Sequence, residues 1–230
     1  FFHAEAGIRD PLWSRGLGDV YKRQVIKTDL NPSKDGLTMG ESIIAINEYT
    51  DGDAIIVTDV GQHQMVACRY ANFVKSKSNI TSGGLGTMGF ALPAAMGAKM
   101  GALNREVVAV IGDGGYQMTI QELGTIFQLQ IPVKIVILNN DFLGMVRQWQ
   151  QLFFDKRYAS TEMVNPDFVA IAKGYYLDSE RVKDRKDLKP AVERMIKSKK
   201  PYVLEICVEK ENNVFPMIPS GASVSDIRLN

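Results

Sequence analysis

Four runs of the chain are rich in β-branched residues: AIIVTDV (54–60), EVVAVIGD (106–113), VKIVILNN (133–140) and YVLEICV (202–208). The first three are nearly continuous in apolar character. Continuous runs predict strands covered on both faces, as in a parallel sheet between two helical layers. The intervening stretches read as helices. Residues 38–50 carry Met39, Ile43, Ile44 and Ile46 in a short helix ended by Asp51-Gly52-Asp53. Residues 87–101 are apolar and dense in small side chains, which predicts a closely packed helix starting near Pro93, because an interior Pro removes a backbone hydrogen bond. Residues 117–129 space Met118, Leu123, Ile126 and Phe127 for one helix. Asn165-Pro166 reads as an N-cap and first helical residue ahead of Phe168, Val169 and Ile171. Asp187 reads as the cap of 188–198, with Leu188, Val192 and Met195 or Ile196 facing inward. Strands alternating with helices predict an α/β fold, a doubly wound, mainly parallel sheet flanked by helices.

The two ends of the sequence behave differently. Residues 1–24 show neither helical nor strand periodicity, and read as an unrelated leader or as a linker from a preceding domain. Residues 25–37 are polar and read as a linker, leaving 38–230 as one domain. The chain of 230 residues is 45% hydrophobic and 23% charged, with a net charge of +1. That balance argues against a general nucleic-acid binder and against a polybasic membrane-surface protein. Cys68 and Cys207 are too few for a disulfide framework, and His3 and His63 too few for a histidine metal cage. No apolar run reaches the roughly 18 residues of a membrane-spanning helix. A reducing, cytoplasmic setting is the expectation.

Candidate chemistry lies where the strand runs end. The run 106–111 leads into Gly112-Asp113-Gly114-Gly115, where glycines allow close backbone approach and positive φ. A helix start nearby would offer free N–H groups to a phosphate. An acid beside a phosphate creates a conflict that a divalent cation removes, and Mg²⁺ takes about six oxygen ligands shared among carboxylate, phosphate and water. The next strand run ends in Asn139-Asn140-Asp141. The 24 residues between Gly114 and Asn139 suffice for one helix and one returning parallel strand. Asn140 would then add a neutral oxygen ligand. A Gly-rich turn with an unrelated Asn pair is the plainer reading of the same residues.

GDG followed at this distance by NN resembles the metal–diphosphate motif of thiamine-diphosphate (ThDP) enzymes. Longer stretches resemble one family within them, the large catalytic subunit of acetohydroxyacid (acetolactate) synthase: DVGQHQM (59–65), TSGGLGTMGFALPAAMGA (81–98), GDGGYQMTIQELGTI (112–126), PVKIVILNND (132–141), LGMVRQWQQLFF (143–154), NPDFVAIAKG (165–174) and FPMIPSGASVSD (215–226). The resemblance covers about 38–229 and implies the ThDP-binding fold. It implies that Asp113 and Asn140 bind Mg²⁺ by side chains and Phe142 by its main-chain carbonyl. Gln62, His63, Gly112, Gly114, Gly115, Gly144 and Met145 would line the diphosphate pocket. The Gly86 carbonyl would hold the 4′-amino group of the cofactor, and Met88 would wedge its two rings together. Trp149 would narrow the pocket around the second substrate, and residues 215–226 would form a lid. Read alone, Met88 and Trp149 are equally core residues and His63 a structural hydrogen bonder.

The activity implied is decarboxylation of pyruvate and condensation of the resulting enamine with pyruvate or 2-oxobutanoate, in branched-chain amino acid biosynthesis. In that family the activating Glu sits on a pyrimidine-binding domain and FAD on a middle domain, neither matched here, so the chain alone is expected to be inactive. The implied partners are small 2-oxo acids, those two domains, a homodimeric or homotetrameric assembly and a regulatory subunit. Two other readings remain: a different ThDP-dependent decarboxylase, oxidase or carboligase, and a non-catalytic module with a relict cofactor pocket. Val66 and Tyr176 depart from the family pattern, but neither lies in the metal motif.

Overall fold

A computed structural model of the chain describes residues 26–30, 36–218 and 221–228. The expected leader, 1–24, lies outside the described residues. Lys34–Asn213 forms one compact unit, and the terminal stretches form a second.

In the first unit, β1 (Ile55–Thr58), β2 (Asn79–Thr81), β3 (Val107–Gly112), β4 (Lys134–Asn139), β5 (Asp178–Val182) and β6 (Tyr202–Cys207) make a six-stranded sheet. The strand order is β2-β1-β3-β4-β6-β5 and every pairing is parallel. Four of these strands coincide with the apolar runs. The sequence reading missed β2 and β5, which are the two edges. Their residues, NIT and DSERV, are mostly exposed or half-buried, so neither needs an apolar run.

The helices are α1 (Met39–Thr50), α2 (Gln62–Tyr70), α3 (Ala91–Gly101), α4 (Asp113–Met118), α5 (Glu122–Leu129), α6 (Gly144–Phe153), α7 (Phe168–Gly174) and α8 (Arg185–Lys197). Alternate strand residues serve two layers. Ile55, Val57, Val107, Ala109, Ile111, Ile135 and Ile137 pack with Leu92 and Ala95 of α3, Tyr116 of α4, Leu123 and Ile126 of α5 and Phe168 of α7. Ile56, Val108, Val110, Val136 and Leu138 are buried as well, while α1 packs on α2 and on α8, and α2 and α8 pack on the sheet. Burial stabilises each such Val or Ile by about 1.5–3 kcal/mol, which favours covering the central strands twice.

Several local expectations are corrected. Residues 117–129 are not one helix, because the chain breaks at 119–121 between α4 and α5. The GDGG segment is not a loop followed by a helix, because α4 opens at Asp113 itself. Gly112 has a φ of −80°, and neither Gly114 nor Gly115 has a positive φ. The cap of α7 is Asp167, whose carboxylate accepts the Ala170 N–H at 3.0 Å; Asn165 is left for other work. Asp184, not Asp187, occupies the N-cap of α8, although Leu188, Val192 and Met195 are its buried stripe as expected. Leu37 is fully buried and bridges Val208 in parallel, and Thr38 with Glu41 forms a capping box that starts α1.

In the second unit, Lys27–Leu30 makes one helical turn. Met217 and Arg228 exchange two backbone hydrogen bonds of 2.9 and 2.8 Å in an antiparallel bridge.

Candidate functional site

From β1 the chain moves outward to β2 and then returns to β3 on the other side of β1. Such a reversal leaves a crevice beyond the carboxyl ends of the strands. A cleft of about 340 Å³ lies there, within the size range of small-molecule sites. Its wall comes from the residues after β1, after β3 and after β4. Gly112 on β3 is in register with Leu138 on β4, so the two motifs that follow start side by side.

Gln62, His63, Met88, Gly112, Asp113, Gly114, Gly115, Asn140, Phe142, Gly144 and Met145 all line this one cleft. Gly86 and Trp149 lie outside its wall. Gly86 is exposed in the loop before α3, with a φ of +61°. Trp149 is one turn beyond Met145 on α6 and stacks on Phe153 with ring centroids 4.8 Å apart.

The glycines serve close packing. A Cβ on Gly112 would lie 2.9 Å from the His63 ring, and one on Gly144 would lie 2.8 Å from Cδ of Gln62 and 2.9 Å from Nδ2 of Asn140. Gln62 is the hub of a buried network. Its Nε2 donates to Oε1 of Gln148 and to the Asn212 carbonyl, each at 2.9 Å, and its Oε1 accepts from Asn140 at 3.4 Å. Oδ1 of Asn140 accepts the Phe142 N–H at 3.3 Å. Arg147, wholly buried on α6, donates to the same Asn212 carbonyl at 3.0 Å and to Asn213 and Gln151.

Burial pushes the Asp113 carboxyl up to about 6, against hydrogen bonds from Asn165 and the Gly114 N–H that favour the anion. A cation beside it would restore the charged form. Burial holds His63 down to about 4 despite the nearby Asp59 carboxylate, so the ring is neutral at pH 7. Its Nε2 is buried without a protein partner among the described residues.

Two positions that support the cleft escaped the sequence reading. Asp59, quoted there only as part of a run, is fully buried, and its carboxylate accepts the Gly89 N–H at 3.0 Å and the Ala91 N–H at 2.9 Å. It thereby ties the end of β1 to the start of α3, beside Met88. An acid at the end of a buried strand was the available signal. Asn165 donates to Asp113 at 2.7 Å; the local Asn-Pro pattern concealed this by suggesting a helix cap.

These donors fit a diphosphate held through magnesium. One carboxylate, one carboxamide and a backbone carbonyl leave room for phosphate and water oxygens, which is how Mg²⁺ is usually bound. Among the described residues, no three His, Cys, Asp or Glu side chains group into an all-protein metal cage. The unpartnered His63 Nε2 and the glycine-lined wall suit a polar ligand lying close to the backbone.

Fold and site together define a diphosphate-binding α/β domain. Residues 59–206 match the family described as thiamine pyrophosphate enzyme, C-terminal TPP binding domain, and the chain belongs to that family. Among curated proteins it is similar to the acetolactate synthase isozyme 2 large subunit of Escherichia coli K12, 43% identical over 79% of this chain and 33% of that protein. The acetolactate synthase large subunit of Lactococcus lactis is also 43% identical, over 83% of this chain and 33% of its own length. The chloroplastic acetolactate synthase 1 of Oryza sativa is 42% identical, over 82% and 31%. The chain thus spans about a third of the length of these relatives. Among solved structures it resembles the thiamine diphosphate-dependent 4-hydroxybenzoylformate decarboxylase of Rhodococcus jostii RHA1. The TM-score is 0.71 at 26% identity, covering 76% of this chain and 33% of that one. No helix among the described residues is long and apolar enough to cross a membrane.

Proposed function

We propose that this chain is the cofactor-holding segment of an acetolactate synthase large subunit, a ThDP-dependent enzyme that joins two 2-oxo acids with loss of CO₂. The observation that carries the reading is the convergence of Asp113 and Asn140, from the ends of two adjacent strands, on one glycine-walled cleft. Its support as a synthase is the identity of 41–46% to acetolactate synthases.

In this reading Asp113, Asn140 and the Phe142 carbonyl hold Mg²⁺. Gln62, His63, Gly114, Gly115, Gly144 and Met145 surround the diphosphate. The neutral His63 offers a hydrogen bond without adding charge, and the Gln62–Gln148–Asn212 network fixes the pocket wall. The Gly86 carbonyl would hold the amino group of the pyrimidine ring, and Met88, in the cleft wall, would set the bend of the cofactor. Trp149 shapes the entry of the second 2-oxo acid. ThDP, when bound, supplies the electron sink that decarboxylation of a 2-oxo acid requires, while the protein supplies position and electrostatics. Pyrimidine-binding and FAD-binding domains, FAD itself, a homo-oligomeric assembly, a regulatory subunit and a cytoplasmic setting complete the proposal.

Titration calorimetry of ThDP with Mg²⁺ into the full chain tests it. Binding to the native protein and at least tenfold weaker binding to Asp113→Ala are expected, as is loss of binding when EDTA removes the metal. No binding, or equal binding to both proteins, refutes the reading.

A further inference from the structure

We infer that Asn165 is a positioning residue that sets the carboxylate of Asp113 for the metal; this inference rests on the magnesium site proposed above. Nδ2 of Asn165 lies 2.7 Å from Oδ2 of Asp113, 3.0 Å from Oδ1 of Asn139 and 3.1 Å from Oδ1 of Asp141. One amide group therefore stands where two carboxylates and a carbonyl oxygen meet. Its two hydrogens serve three acceptors, and the Asp113 contact is the shortest.

The orientation of this amide is decided from its other end. Nε2 of Gln117, on α4, donates to Oδ1 of Asn165 at 2.9 Å. A flipped amide would set its oxygen against three acceptors and its nitrogen against a donor. The acceptors are fixed too. Nδ2 of Asn139 donates to Glu205 at 2.9 Å, and Glu205, buried on β6, is paired with Arg181 at 2.6 Å. That leaves Oδ1 of Asn139 facing Asn165. Asp141 is paired with Lys210 at 2.9 Å.

Without Asn165, the Asp113 and Asp141 carboxylates would lose a side-chain donor that bridges them. Asp113 would then be held by the Gly114 N–H without the side-chain contact that fixes the orientation seen here. Groups that orient a metal ligand in this way typically contribute 10–100-fold to metal affinity. The backbone around Asn165 is anchored independently. Leu143 N–H donates to the Thr161 carbonyl at 2.8 Å, and Met163 N–H donates to the Asp141 carbonyl at 2.9 Å. Loss of the Asn165 side chain therefore leaves the segment in place.

The test is Mn²⁺ titration of the full chain followed by electron paramagnetic resonance, with ThDP present and melting temperature measured in parallel. Asn165→Ala weakens Mn²⁺ binding about tenfold. Asn165→Leu, which keeps the volume and lacks the donor, gives the same loss and serves if the alanine variant does not fold. Asp167→Ala removes the adjacent α7 cap and an ion pair to Arg181 at 2.7 Å while leaving the Arg181–Glu205 pair and Asp113 untouched, and it leaves Mn²⁺ affinity unchanged even where its melting temperature falls. Native affinity in the Asn165 variants, or an equal loss in Asp167→Ala, overturns the inference. If native protein takes up no Mn²⁺, or Asp113→Ala binds it normally, the metal-site reading falls and this inference with it.

Discussion

Replacing Gly115 by Ala separates close packing from backbone freedom as the reason for glycine in the GDGG segment. Gly115 is helical, so its φ costs alanine nothing. The obstacle is Asp59: a Cβ at position 115 would lie 2.9 Å from its Cγ and nearer still to Oδ1, where ordinary contact begins at 3.4 Å. Asp59 must retreat by at least half an ångström, yet it is fully buried and holds the Gly89 and Ala91 N–H groups at 3.0 and 2.9 Å. Hydrogen bonds to a charged group contribute about 1.5–3 kcal/mol each. Replacing Gly by Ala in a helix returns about 1 kcal/mol. The expected net loss is therefore about 2–5 kcal/mol, with weaker ThDP binding because the displaced segment adjoins Met88. Gly97 on α3 is the matched control, since it is exposed and a Cβ there meets nothing within 4 Å. Gly97→Ala should stabilise by about 0.5–1 kcal/mol. Equilibrium urea unfolding of the full chain reads both. A Gly115→Ala protein as stable as native refutes the packing argument.

Lys134 offers a pH test. It is fully buried at the start of β4, and its Nζ donates to the Ser198 and Lys200 carbonyls at 2.6 and 2.8 Å. Burial lowers its pKa to about 8 from 10.5, and the neutral amine keeps two N–H donors for those carbonyls. Between these values the unfolded chain binds more protons, so the contribution of Lys134 to stability rises with pH, by roughly 1–3 kcal/mol. The stability difference between native protein and Lys134→Met should widen over that window, and a flat difference contradicts the assignment. In the full-length enzyme, Met88→Ala should lower turnover about tenfold or more while changing the melting temperature little, because Met88 is a half-buried residue of the cleft wall. A large fall in melting temperature with normal turnover would make it a packing residue.

The central strands were legible because burial on both faces leaves a local record, an uninterrupted apolar run such as VVAVI or IVIL. Their neighbours β2 and β5 left none, since an edge strand has one partner and tolerates polar residues. The spacing of GDG and NN indicated strand ends a helix and a strand apart, but only the parallel register of β3 and β4 sets Asp113 and Asn140 on one cleft. Asn165 shows the limit most sharply. Its neighbours in sequence suggested a helix cap, whereas its partners Asp113, Asn139 and Gln117 lie 52, 26 and 48 residues away. Periodicity and turn chemistry act over a few residues and can be read along the chain. Which oxygen meets which nitrogen across the crevice depends on strand order and helix packing, and the fold alone decided that.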